Sequence, residues 1–435
     1  MASSPSEQSS ELERIRFASG YLGALLRRSE NVRWLWGENR LKRRYPLPEL
    51  YNELREIAFA CTDLQSLFRA YRHFKQRHFL RIGGRDLLGW ADMAETTAQL
   101  SDLASVALQV GLEVLCQRPV WWLEREDLSR LGKEGSLPLA VLGLGKLGGS
   151  ELNYVSDVDL IFLGSMESDR VSRASVGSRQ VLRRLCQTLN RLLADQVEGD
   201  RVFLVDMRLR PQGKDGELVA SLEGALAHYQ LRGQAWERQA LLKARPVAGN
   251  RSLGNYFLQE IKPFVFRRFL DFQALDEIKS MRDRILAEIR SKSQGIRSNV
   301  KLGKGGIREI EFIVQSLQLI YGGRYPELEE SNTLRVLDRL HSLQLLPAEV
   351  LVDLRQAYGF LRKVEHWIQL DANRQSSRIP QSEEDLRRLS LTLGYESSQE
   401  FLQALEARSA KVHEHFLGLF QSEPKPDSAS ERTVS

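Results

Sequence analysis

The tightest constraint on this fold is a short distance along the chain. An apolar run, Leu139-Ala140-Val141-Leu142, has the look of a buried strand and ends in the glycine-rich turn Gly143-Leu144-Gly145-Lys146-Leu147-Gly148. A second apolar run, Val158 to Leu163, follows after only about eight intervening residues, 150–157. A parallel crossover needs a dozen or more residues, usually a helix. The turn therefore matches the G-x-G-x-x-G dinucleotide fingerprint in letters but not in context, since that site needs a full helix and a parallel second strand. A Walker A loop fails as well, because Lys146 is followed by Leu147 and not by Ser or Thr.

A third strand is expected over Val202 to Leu209. An amphipathic helix precedes it, with Val181, Leu182, Leu185, Leu189 and Leu192 on its apolar side. On both sides of this small α/β unit the pattern is helical. Apolar residues recur at helical spacing from Glu49 to Val110, again at Leu351, Leu354, Tyr358, Leu361, Val364 and Ile368, and again from Phe401 to Phe420. The expected architecture is α+β and predominantly helical. It divides into a polar N-terminus (1–10) and a polar tail (422–435), both expected to be disordered, an N-terminal helical region (11–133), an α/β core (134–262) and a C-terminal helical domain (263–421).

Composition excludes several function classes. A chain of 435 residues with 42% apolar and 27% charged residues is an ordinary globular protein of more than one domain. The stretch 137–145 reads as the longest nearly uncharged apolar run and is far short of the ~20 residues of a membrane span. The polar N-terminus lacks the apolar core of a signal peptide. Cys61, Cys116 and Cys186 are too scattered for a disulfide framework or a zinc cluster, and a cytoplasmic location is expected. A net charge of +5 attracts anions only weakly, and the run Arg40-Leu41-Lys42-Arg43-Arg44 reads as a solvated helix face in preference to a nucleic-acid contact.

Chemistry concentrates after the turn. In Ser156-Asp157-Val158-Asp159-Leu160 the two aspartates alternate with apolar residues at the head of a strand, so both carboxylates share one face. Paired carboxylates repel unless a cation lies between them, and hard oxygen ligands suit Mg²⁺. The third strand is expected to present Asp206, Arg208 and Arg210 on one face, adding a third carboxylate and two guanidiniums suited to phosphate, with bracing of the turn at Pro211 the alternative role for Arg210. Glycine turn, Asp-x-Asp strand and a later acidic strand together form the plan of the DNA polymerase beta nucleotidyltransferase superfamily. That plan implies two Mg²⁺ ions held by Asp157, Asp159 and Asp206, and turn amides on phosphate. Gly145-Lys146 has the superfamily spacing to the first aspartate, whereas Gly148-Gly149 has its residue types. The phosphate-binding peptides stay open between them.

The segments Gly145 to Asn153, Ser156 to Leu160 and Val205 to Pro211 closely resemble the bacterial glutamine synthetase adenylyltransferase/adenylyl-removing family. So do Trp236-Glu237-Arg238, Lys243-Ala244-Arg245, Phe266-Arg267-Arg268 and Gly305 to Phe312. In that family one half removes AMP from a glutamine synthetase tyrosine by phosphorolysis, releasing ADP, and the other half attaches AMP from ATP. This chain holds one such unit, and Asn153 with Arg308-Glu309 is similar to the removing half. The resemblance implies adenylylated glutamine synthetase, phosphate, ADP and ATP as partners, with regulation through PII signal proteins. It further implies nucleotide or phosphate contacts from Gly145, Lys146, Gly148, Gly149, Ser156, Arg208, Arg210 and Lys243. Lys243 and Glu237 are expected on a helix after the third strand, and Glu309 and Glu311 are expected to serve a helix start. ATP-dependent adenylylation, action on RNA or a small molecule, and a non-catalytic regulatory domain are the competing readings.

Overall fold

The computed structural model describes residues 5–124, 139–165, 173–197, 199–268, 272–291 and 295–419. One five-stranded mixed sheet lies at its centre. Strand β1 (Leu139–Gly143) runs antiparallel to β2 (Asp157–Gly164), with Leu139 opposite Gly164 and Gly143 opposite Leu160. The short connection between them permits nothing else. Strands β3 (Leu204–Asp206) and β4 (Val219–Ser221) both lie parallel to β2, one beside its start and one beside its end. Here the helix Arg173–Ala194 supplies the long return that a parallel pairing needs. Strand β5 (Arg245–Gly249) pairs antiparallel with the other side of β1, with a register shift between Val141 and Leu142.

Both faces of the sheet are covered, and side-chain alternation sorts the strand residues between two cores. Val141, Val158, Leu160 and Phe162 pack with the N-terminal helices and with Leu185, Leu189 and Leu192 of the helix Arg173–Ala194. Ala140, Leu142, Ile161 and Leu163 point the other way, toward Phe257, Ile307, Ile310, Leu361 and Phe401. Asp157 and Asp159 have the same parity as Ile161 and Leu163. The alternation that buries β2 therefore turns its two carboxylates toward the C-terminal helices.

Several helices begin where the sequence offers a cap. Asp63 and Ser66 form a reciprocal capping box at Leu64–Leu87, and the Asp92 side chain accepts from the Glu95 amide at Met93–Gln117. Met93–Gln117 is also long and apolar enough to cross a membrane by length and composition. Its spacing is the helical one expected up to Val110, but its uncharged stretch 103–112 is longer than the run 137–145 expected to be the longest, and its apolar surface is buried in the first core.

The predominantly helical α+β class is as expected, but details differ. A helix starts at Pro5, inside the segment 1–10 expected to be disordered, of which residues 1–4 lie outside the described residues. The expected third strand stops at Asp206 and does not run to Leu209. The basic run 40–44 is solvated at Lys42, Arg43 and Arg44, as expected, but is not a regular helix face. It lies in and after the turn Gly37–Lys42, where Arg40 donates to the Trp34 and Gly37 carbonyls and Arg43 to Glu49. The tail 422–435 lies outside the described residues.

Candidate active site

A cleft of about 470 Å³ opens where the start of β2 meets the glycine turn and the C-terminal helices. Asp157, Asp159 and Asp206 all line it, as expected. Asp159 sits directly beside Asp206 in the parallel β2–β3 register, and Asp157 is two residues earlier on the same face. Burial, then the neighbouring Asp206 and Asp157 carboxylates, push the Asp159 carboxyl up to about 7. Asp206 moves down, first because Arg208 hydrogen-bonds it: the guanidinium Nε donates at 2.8 Å and Nη2 at 2.5 Å. Asp157 accepts from Gln375 Nε2 at 2.9 Å.

The turn is built against these carboxylates. Gly145 has φ +51°, a left-handed conformation, and a Cβ there would lie 2.5 Å from Asp159 Oδ2. Only glycine lets the backbone approach so closely. From Gly145 the chain makes one helical turn to Gly148, whose carbonyl, with that of Leu147, accepts from Arg245 at 3.1 Å. Gly148 and Gly149 serve packing and not the cleft. A Cβ on Gly148 would stand 1.7 Å from the Lys243 carbonyl oxygen, and one on Gly149 would stand 2.9 Å from that of Ser331. The turn residues that line the cleft are Gly145 and Lys146.

Behind the turn lies a buried polar network that anchors Glu151 to Val155, the segment leading into β2. Glu365, on the helix Ala348–Ala372, accepts from Lys146 Nζ at 3.2 Å, from Asn153 Nδ2 at 2.6 Å and from Ser377 Oγ at 2.8 Å. Arg362 and His366, one turn apart on the same helix, both contact Asn153 Oδ1 at 2.8 Å. Gln369 accepts from the Val155 amide. Glu151 pairs with Lys243 at 2.6 Å and accepts from Thr333. Desolvation pulls the Lys146 ammonium down to about 8, against the attraction of Glu365.

The other expected residues divide. Ser156, Arg208 and Lys243 line the cleft. Lys243 lies in the turn before β5 and not on a helix, with its ammonium committed to Glu151 and Thr333. Arg210 is a correction. Because β3 ends at Asp206, the chain curls, and Arg210 is not among the described residues lining the cleft. It braces the loop instead, donating to the carbonyls of Met207, Lys214 and Gly216 at 2.7–3.0 Å. Glu237 is structural: it accepts from the Gln234 amide and contacts His228. Glu309 stands in the first turn of the helix Ile307–Tyr321, as expected of a residue serving a helix start, and its carboxylate also contacts His413.

Five cleft residues were not expected as site residues from the sequence: Leu209, Lys301, Glu311, Gln315 and Gln375. Glu311 and Gln315 are four apart on the helix Ile307–Tyr321, so they share a face, and that polar spacing within an apolar helix was the available signal. Gln375 carries no signal of its own. The donor set, three carboxylates on one wall, suits a hard divalent cation. Among the described residues, however, no three such groups are drawn together tightly enough to hold one. Arg208 and Gln375 engage two of the three aspartates.

Comparison with known proteins adds the following. The family described as Glutamate-ammonia ligase adenylyltransferase matches residues 9–260, and that described as GlnD PII-uridylyltransferase matches residues 279–420. A bifunctional glutamine synthetase adenylyltransferase/adenylyl-removing enzyme of Nitrosococcus oceani is 40% identical over 401 residues, covering 89% of this chain and 40% of that protein. A protein of the same description from Pseudomonas putida is 37% identical, covering 98% of this chain and 43% of its own length. The chain thus spans about two fifths of the relatives it matches.

Proposed function

Because the chain belongs to the glutamate-ammonia ligase adenylyltransferase family, we propose that it acts on glutamine synthetase as a nucleotidyltransferase, removing AMP from an adenylylated tyrosine by phosphorolysis and releasing ADP. The observation that carries this reading is the cleft itself. Asp157, Asp159 and Asp206 share it with Lys146, Lys243 and Lys301, against the Gly145 turn. Carboxylates beside a bare backbone turn and ammonium groups form a site for phosphoryl chemistry, where catalysis is mostly positioning and electrostatics.

Asp157, Asp159 and Asp206 are the residues that would hold Mg²⁺. When bound, such an ion would offset negative charge on the oxygens around phosphorus and on the departing tyrosyl oxygen. The chain's own groups do the rest. Gly145, lacking a Cβ, lets the turn backbone stand directly against the Asp159 carboxylate, and so beside any phosphate that the aspartates hold. Lys146 and Lys301 attract the incoming phosphate, and Glu365 fixes the Lys146 ammonium in place. Phosphate is already anionic, so its attack needs no general base. As its oxygen bonds to phosphorus, the phosphorus–tyrosyl oxygen bond breaks, and the tyrosyl group leaves with the electron pair.

The opposite direction, AMP transfer from ATP, is favoured by one observation, the Glu311 carboxylate in the cleft, which could take the proton from a tyrosine hydroxyl. One experiment separates the two. The chain is incubated with Mg²⁺ and either adenylylated glutamine synthetase plus phosphate, or unmodified glutamine synthetase plus ATP. ADP from the first mixture is the expected product. Pyrophosphate from the second, with no ADP from the first, would reverse the direction.

A further inference from the structure

A second and larger cavity, about 680 Å³, adjoins the cleft. Ser156 and Gln375 line both. Its charge is lopsided: Arg28, Lys75, Arg201 and Arg374 line it against a single carboxylate among the described residues, Asp200. That carboxylate is already saturated. It accepts from Tyr21 at 3.1 Å, Lys75 at 3.2 Å, Gln76 at 2.9 Å and the Arg201 amide at 2.8 Å. Lys75 and Asp200 offset each other, which leaves Arg28 (a donor to Gln76), Arg201 and Arg374 as the positive excess in the lining of a space that nothing in the proposed chemistry uses.

We propose that this second cavity holds an acidic peptide segment of the protein substrate, whose tyrosine reaches the aspartates past Ser156 and Gln375. The assignment rests on the protein-modifying reading above and extends it to substrate recognition. The nucleotide has its place at the Gly145 turn and the lysines. Displacement at phosphorus requires attacking and leaving oxygens roughly in line, so the tyrosyl side must extend out of the nucleotide cleft into a neighbouring space. A cavity of this volume falls within the ~300–1,000 Å³ that enclose bound ligands. It is larger than a tyrosine ring needs, so residues flanking the tyrosine enter too. Guanidiniums select carboxylates among such residues, by paired N–H···O contacts that a lysine could not reproduce. The Gln375 side chain, hydrogen-bonded to Asp157, is the partition between the two spaces.

The test uses the full chain and two fluorescein-labelled peptides, one with tyrosine between aspartate and glutamate residues and a twin with asparagine and glutamine in their place. Fluorescence anisotropy should show the acidic peptide binding at least about tenfold more tightly than its twin, as expected for charge-assisted contacts. Arg201→Glu and Arg374→Glu should each remove that preference. Arg374 is exposed, so its variant decides the matter if the half-buried Arg201 variant fails to fold. Equal affinity for the two peptides, or an unchanged preference in Arg374→Glu, would overturn the proposal. So would inorganic phosphate binding through the same arginines as tightly as the peptide, since the cavity would then be a free-anion site. ADP release from the amide of adenylyl-tyrosine, measured in parallel, should be the same in Arg374→Glu and the parent chain. If the parent chain releases none, the functional reading fails while the peptide preference still decides the role of the cavity.

Discussion

Asp159 is half-buried between two other carboxylates, Asp206 beside it on β3 and Asp157 two residues earlier on β2, and that burial, with the crowding, has a measurable cost. Its folded-state carboxyl is raised to about 7 from an ordinary 3.8. Between these values the folded chain keeps a proton that the unfolded chain releases, so stability falls as pH rises from about 4 to 7. Asp159→Asn should therefore match the parent chain at pH 4 and exceed it by roughly 1–3 kcal/mol at pH 8 in urea melts without divalent cations. A variant less stable than the parent at pH 8 would mean that the carboxylates do not repel as the cleft implies. Gly145→Ala should act oppositely, since its φ of +51° and the 2.5 Å approach to Asp159 leave no room for a methyl group. It should cut turnover at least about a hundredfold through misplacement of the turn, and wild-type turnover would refute the close approach. At this scale the aspartates were legible because alternation alone puts them on one face. For Arg210 the sequence left anion binding and turn bracing both open, because the end of a three-residue strand is decided by the loop that Arg210 itself braces.

At the scale of elements, the site depends on one helix that sequence analysis treated as a bundle stripe. Ala348–Ala372 buries Leu354, Leu361 and Val364 in the second core, as its apolar stripe suggests. Arg362, between two of those positions, and Glu365 and His366, just after the last, instead grip Asn153 and Lys146. Partner choice across two hundred residues is a tertiary fact that helical periodicity does not encode. Glu365→Leu strands the ammonium of Lys146 and the guanidinium of Arg362 in the interior. It should cost roughly 3–5 kcal/mol, the usual penalty for removing one partner of a buried ion pair, as measured by denaturant melts. A loss below about 1 kcal/mol would show that water reaches the network and that the helix does not anchor the turn. Strands β4 and β5 escaped notice for simpler reasons: one is three residues long, and the other begins Arg245-Pro246, a poor strand signal.

The whole molecule is organised by a sheet that both helical regions share. Residues 9–260 and 279–420 match different families, yet the second set completes the core begun by the first, since Ile161 and Leu163 pack with Ile307 and Ile310. Lys301, Glu311 and Gln375 enter the cleft from that second set, which is why the short motif around Asp157 could not reveal them. Acid acts on the fold through His78 in the opposite sense to Asp159. Burial, aided by Arg81 and Arg40 and opposed by Glu53, lowers the His78 ring to about 4. Its neutral form therefore favours the folded state above pH ~6.5, and that contribution is lost as pH falls from 6.5 toward 4, about 3 kcal/mol in all. Thermal melts of His78→Gln should drop less than those of the parent chain across that window, and parallel curves would refute the assignment. The central claim, that the three-aspartate cleft processes AMP on glutamine synthetase, is tested most directly with glutamine synthetase carrying radiolabelled AMP, Mg²⁺ and phosphate. The parent chain should convert the label to ADP, and folded Asp157→Asn and Asp159→Asn chains should be slower by at least about a thousandfold. Label release by either variant at the parent rate would contradict the account.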